Sequence, residues 1–166
     1  MRTVSTMKKG KKPPPLWLCP RCGAKLITRN MWHSCGNYTL GDLFAHSEPN
    51  VIQAFRKLAA MVRECGPVTV VPQKTRVVFQ LRVRSLGCVP RRSYLLCTFE
   101  FTRRKPHPRF RKVTTYARLW HGHELRVDSR EELDGEVRGW IRESYAVGEQ
   151  RHLRKQPRMR GRVSPP

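Results

Sequence analysis

The order of hydrophobic patterns predicts an α+β fold: a helical stripe, several consecutive strands, then a second helical stripe. Three observations carry this. Val51, Phe55, Leu58 and Val62 recur at the helical period, with Ile52 and Ala59 widening the stripe. Residues 68–127 hold successive apolar runs of strand length, divided by turn residues such as Pro90-Arg91-Arg92. Leu133, Val137, Trp140, Ile141 and Tyr145 form the last stripe. Strands joined by short turns pair antiparallel, and helices at both ends of the run then pack on the sheet. The 166 residues suit one such domain with a small appendage.

The elements follow in order. Residues 1–15 carry Arg2, Lys8, Lys9, Lys11 and Lys12, no acid, and Pro13-Pro14-Pro15, which predicts a disordered basic arm with a stiff prolyl spacer. Residues 16–38 form a compact Cys/His head resembling a zinc ribbon, and 39–150 form the α+β domain. Thr39 and Asp42 make a T-x-x-D cap for a short helix through Leu40, Leu43 and Phe44. Ser47 is expected to cap a helix over 48–65, stopped by Gly66-Pro67. Val68–Val71 reads as a short strand. Arg76–Arg84 alternates, with Val77, Phe79, Leu81 and Val83 on one face and Arg76, Gln80, Arg82 and Arg84 on the other. Tyr94–Phe101 is a further strand with Leu95, Cys97, Phe99 and Phe101 on one face, and Arg103–Lys112 is a basic loop. Val113–Leu119 and His121–Val127 read as two more strands. Ser129 and Glu132 suggest a capping box for a helix over 130–147, ended by Gly148. Residues 151–166 carry six basic residues and no acid, which predicts a disordered basic tail.

The net charge is +22, from 34 Lys+Arg against 12 Asp+Glu. The two tails hold +5 and +6, so the remaining +11 belongs to residues 16–150. Such a field disfavours cationic ligands and attracts polyanions, nucleic acid first among them. Arg outnumbers Lys 24 to 10, a bias that a GC-rich genome also produces. No stretch approaches the ~20 apolar residues of a membrane helix, so no membrane partner is expected. The basic, prolyl start lacks the apolar stretch of a secretory signal. The expected compartment is a bacterial cytoplasm, where Cys65, Cys88 and Cys97 stay free thiols.

The sharpest motif is Cys19-Pro20-Arg21-Cys22-Gly23 followed by Trp32-His33-Ser34-Cys35-Gly36. Two thiolates two residues apart chelate one ion from a tight turn, and the Gly permits the backbone that turns amides toward sulfur. His33-x-Cys35 places two further ligands on one side of an extended segment. Cys19, Cys22, His33 and Cys35 thus make a Cys3His set for structural zinc, closed to a catalytic water. The alternative is a redox pair of Cys19 and Cys22. A redox C-x-x-C opens a helix, and Pro20, Gly23 and the strand-like 24–28 argue against one here. Trp17 and Trp32 flank the ligands, either packing the head or offering stacking faces.

These motifs, with Gly66-Pro67-Val68-Thr69-Val70-Val71-Pro72-Gln73-Lys74-Thr75-Arg76, Val89-Pro90-Arg91-Arg92, His107-Pro108-Arg109-Phe110 and the Trp140–Tyr145 helix, resemble a bacterial domain of unknown function, DUF5655. The likeness spans about residues 16–150. It implies no assigned activity, only an association with restriction-type or DNA-associated modules.

Residues 65–99 hold Lys74, Arg76, Arg82, Arg84, Arg91 and Arg92 and no acid, so these six are the candidate polyanion contacts. If Arg76 and the Arg91-Arg92 turn lie at opposite ends of a hairpin, they do not share one pocket. His121 and His123 share a strand face, as a metal pair or as packing residues in line with Leu125 and Val127. His107 lacks an evident carboxylate partner. Most acids lie between Glu124 and Glu149, in positions of caps and helix i,i+4 partners. Glu100 is the one acid on a central strand and the candidate catalytic residue, with His107, His121 or His123 as companions. The expected function is a non-catalytic zinc-binding module for nucleic acid. A metal-dependent nuclease or nucleotide-processing enzyme and a protein–protein adaptor are the alternatives.

Overall fold

The computed structural model describes residues 15–31 and 33–154. The basic arm and most of the basic tail lie outside these residues, as does Trp32. The fold is α+β. A two-stranded antiparallel sheet, β1 (Trp17–Leu18) and β2 (Lys25–Leu26), belongs to the Cys/His head. Two helices follow, α1 (Leu40–Phe44) and α2 (Pro49–Glu64). Then come β3 (Thr69–Pro72), β4 (Val77–Gln80), β5 (Arg84–Pro90), β6 (Leu95–Phe101), β7 (Phe110–Ala117) and β8 (Trp120–Val127), and last α3 (Gly135–Gly148). The six strands β3 to β8 form one antiparallel sheet in the order β3-β4-β5-β6-β8-β7.

One face of this sheet is the core. Val77, Phe79, Leu86, Cys88, Leu95, Cys97, Phe99, Phe101, Leu125 and Val127 meet the apolar stripes of α2 and α3 there. Burial of stripes on this scale is what gives two ordinary amphipathic helices their stability. Phe110 and Trp140 pack with tilted rings 4.4 Å apart between centres, closing the core beside β8. Cys88 and Cys97 stand opposite each other on β5 and β6 as free thiols, and burial pushes both well above their ordinary pKa. Cys65 is free and half-buried.

Four local expectations are corrected. Ser47 is not the cap of α2: Glu48 occupies that position, Pro49 begins the helix, and Ser47 Oγ donates to the Arg91 carbonyl at 3.1 Å. Proline fits a first helical turn because its missing N–H has no partner there anyway. Arg76–Arg84 is not one strand. It bends at 81–83 into the β4–β5 hairpin, and Arg82 N and Val83 N both donate to the Gly148 carbonyl at 3.1 Å. Ser129 and Glu132 do not cap α3. Residues Arg130–Glu132 form a separate 3-10 turn, and Asp134 caps the helix by accepting from Val137 N at 3.0 Å. The tail does not begin in disorder at 151, because Arg151–Leu153 form another 3-10 turn. The Thr39 cap matches the expectation, accepting from Asp42 N at 3.1 Å.

The end of α3 is thus built into the hairpin. Ser144 Oγ donates to the Ser85 carbonyl and accepts from Glu100 N, joining β5 to β6 where the helix crosses them. Gly148 comes so close that a Cβ there would stand 2.5 Å from Ser85 Cβ and 2.7 Å from Leu81 Cδ1. Gly148→Ala is expected to destabilise the fold by about 1–3 kcal/mol through overpacking, lowering the thermal midpoint by several degrees. Urea unfolding of the variant beside the parent checks this.

Candidate functional site

The Cys/His head folds as a knuckle. Gly23 N donates to the Cys19 carbonyl at 2.8 Å, and Gly23 adopts φ +71°, a left-handed conformation that suits glycine. The chain then runs back through β2, and the 33–36 segment brings His33 and Cys35 to the knuckle. The ligand atoms of Cys19, Cys22, His33 and Cys35 all lie within 4.8 Å of one another. Cys19 Sγ and Cys35 Sγ are 3.7 Å apart. A tetrahedral ion with bonds of about 2.3 Å to sulfur sets sulfurs about 3.8 Å apart.

His33 is oriented for the same purpose. Its Nδ1 lies 3.1 Å from the Met31 carbonyl, which can only accept, so Nδ1 carries the proton. The lone pair then falls on Nε2, which is buried and has no hydrogen-bond partner. An outer partner that fixes the tautomer this way is usual for ligating histidines. The Met31 carbonyl and Cys19 hold the imidazole pKa up. Burial raises the Cys19 thiol, but the Arg21 and Cys22 amides and the His33 and Cys22 side chains bring it down to about 6. Burial and the neighbouring Cys19 and Cys22 push Cys35 up to about 11. The Cys19 thiolate forms readily and opposes ionisation of Cys35, a repulsion that a dication relieves. The four residues are therefore close enough to hold a metal ion, and the orphaned Nε2 fits one. Trp17 packs against the small cluster of Cys19, Ala24 and Leu26.

The head sits over the sheet face turned away from the helices. Gln80 Nε2 donates to the Lys25 carbonyl, and Lys74 N donates to Ser34 Oγ at 3.5 Å. Between head and sheet lies a cavity of about 840 Å³. Its roof includes Cys22–Leu26 and Ser34, and its floor includes Thr69–Arg76, Gln80, Arg82, Arg84 and Trp120. Four of the six candidate polyanion contacts, Lys74, Arg76, Arg82 and Arg84, therefore line one recess. Arg91 and Arg92 do not. They lie at the β5–β6 turn, where Arg92 Nε is 3.6 Å from Glu48. Arg82 Nε donates to Gln150 Oε1 at 3.3 Å.

Glu100 lies beneath the floor. Strand alternation turns it away from Phe99 and Phe101, and its side chain is fully buried. Its Oε1 is 2.6 Å from Arg84 Nη2, and its Oε2 accepts from Trp120 Nε1 at 2.7 Å. Burial raises the Glu100 pKa, and Arg84, Trp120 and the charge of Arg76 only partly offset this. The Arg84 guanidinium lies 5.8 Å from the centre of the Tyr116 ring, which covers Gly122. Trp120 and Tyr116 are the residues that sequence reasoning missed. The one signal for Trp120 was its place just before His121, at the mouth of the central strand that pairs with Glu100.

The proposed companions of Glu100 are not brought to it. His123 belongs to the core face, 4.7 Å from Phe101 and 5.1 Å from Phe110 between ring centres. All four ring nitrogens of His121 and His123 are engaged, by Thr115, the Arg118 carbonyl, the His121 carbonyl and Lys105 N. That leaves no lone pair for a shared metal. Among the described residues, the head cluster is the one group of three or more His, Cys, Asp or Glu able to hold an ion. His107 does have a carboxylate partner, Glu136, at 3.1 Å. The basic loop is spent in the same way: Arg109 on Asp134 and Glu136, and Lys105 and Arg103 on Glu143.

Fold and cluster together define a class: a helix-backed antiparallel domain with an appended Cys3His knuckle capable of metal binding. The family model of a domain of unknown function, DUF5655, matches residues 40–148, and the chain belongs to that family. The head precedes the matched segment, so the family domain supplies the cavity floor, and the Cys/His head belongs to the roof. Comparison with curated proteins and with solved structures returns no match. No helix among the described residues is long and apolar enough to cross a membrane.

Glu100→Ala is expected to cost about 3 kcal/mol, because it leaves Arg84 and the Trp120 N–H without their buried partner. The pH dependence has a definite sign. Above the ordinary carboxylate pKa the unfolded chain loses a proton that folded Glu100 still holds, so stability falls as pH rises toward the raised value. Glu100→Gln should flatten that fall, as measured by thermal midpoints across the acidic range.

Proposed function

We propose that the protein is a zinc-bearing module that binds nucleic acid through its phosphates and performs no chemistry on them. The observation that supports this is the recess itself. It collects Lys74, Arg76, Arg82 and Arg84 on one concave surface, whereas Arg103, Lys105, His107 and Arg109 are held in ion pairs with α3 or its capping Asp134. Among the described residues, Lys74 and Arg76 have no acidic side chain in ion-pair contact. These two cations, on a concave face with Arg82 and Arg84 beside them, favour phosphate oxygens over solvent because binding releases condensed counterions.

Zinc is the ion that suits the cluster. Three thiolates and an imidazole in a set of four select it over harder metals, and four protein ligands leave no place for an activated water. Its contribution is to fold residues 16–38, which have too little apolar surface to hold together alone. That in turn fixes the roof of the recess.

Two outcomes are expected. The purified chain carries one zinc per molecule by elemental analysis, and Cys22→Ser or His33→Ala lowers that content. Binding to nucleic acid falls linearly on logarithmic axes as salt rises, and Lys74→Ala with Arg76→Ala reduces the slope by about 1–2, measured by fluorescence anisotropy. Binding that is indifferent to salt, or absent at low salt, overturns the reading.

A further inference from the structure

The recess carries more than charge. Its floor includes an aromatic ring whose hydrogen-bonding edge is already occupied, because Trp120 Nε1 donates to Glu100. The half-buried ring is thereby fixed, with no free donor to select a base edge. Arg84 is held by the other oxygen of the same carboxylate, so one buried group sets the positions of a guanidinium and an indole together. Arg76 lines the same recess, near enough that its charge acts on Glu100.

We infer that this recess takes unpaired, single-stranded nucleic acid, with one base against Trp120 and neighbouring phosphates on Arg76 and Arg84. The inference rests on the nucleic-acid reading above and adds the strand form and the residue that reads it. A fixed aromatic face beside cations is the usual arrangement for single strands, where any base can stack. Duplex reading needs the reverse shape, a protein element that protrudes into a groove about 12 Å wide. Here the cations and the indole lie in a hollow roofed by the Cys/His head, not on a protruding element. A cavity of about 840 Å³ also falls within the size range of pockets that enclose a small ligand. Glu100 acts in this as a positioning residue, holding Arg84 and Trp120 from below.

The test uses the full-length, zinc-loaded protein. An oligothymidylate and a blunt duplex of equal phosphate count, both fluorescein-labelled, are titrated by anisotropy at one low salt concentration. The parent is expected to bind the single strand about tenfold more tightly than the duplex. Trp120→Leu should lose about tenfold on the single strand and leave duplex and inorganic polyphosphate binding within about twofold. Arg76→Glu should weaken the single strand, while Arg91→Glu, outside the recess, should leave the preference intact. If Trp120→Leu also loses polyphosphate binding, Trp120→Phe decides, since it keeps a stacking face and should stay within about threefold of the parent. Equal affinity for duplex and single strand, or a single-strand affinity unmoved by Trp120→Leu and Arg76→Glu, overturns the inference while leaving nucleic-acid binding in place. Failure to bind either form overturns both.

Discussion

A fully buried carboxylate organises the outer face of this sheet. Glu100 has no access to water, and an unpaired ion in that position would cost several kcal/mol. Arg84 and Trp120 meet that requirement from two strands, β5 and β8, that flank β6 on either side. Their own positions follow: the guanidinium is drawn across the floor and the indole edge is turned inward. The arrangement also explains why burial raises the Glu100 pKa despite an arginine in contact, since one ion pair and one indole hydrogen bond only partly replace a hydration shell.

The opposite face works chiefly by packing. The stripes of α2 and α3 meet the apolar side of the strands, and His123 is accommodated there as an aromatic ring with both nitrogens bonded. Ser144 and Gly148 couple α3 to the hairpin whose far side bears Arg82 and Arg84. The 81–83 bend thus ties the helix end to the strand that carries Arg84 into the recess. The separation of roles is chemical: apolar contacts stabilise one side, and one charge network orders the other.

What the sequence made legible was what depends on neighbours in the chain. The two helical stripes, the run of strands and the Cys19, Cys22, His33, Cys35 spacing were all visible, because periodicity and ligand spacing are local. The bend at 81–83 was not, because no glycine or proline marks it and its amides are satisfied by a carbonyl 65 residues away at Gly148. The start of α3 was misplaced for a related reason. Ser129 and Glu132 have the composition of a capping box, yet Glu132 Oε1 accepts from Asp128 N and Asp134 does the capping. Glu100 was legible as an unusual acid, but its partners were not, since Arg84 and Trp120 reach it only through strand pairing. The acids of the C-terminal third were assigned to their own helix, whereas Glu136 and Glu143 hold the basic loop at 103–109.

The family match begins at Leu40, after the last ligand of the metal cluster. The floor of the recess therefore falls within the matched domain, and the Cys/His part of its roof precedes it. Two hydrogen bonds, from Gln80 to Lys25 and from Lys74 to Ser34, join the two pieces directly. A domain of this kind can keep its buried Glu100 network and exchange what lies above it. The same floor would then enclose a different volume, so that the segment before Leu40, rather than the sheet beneath, decides what can enter.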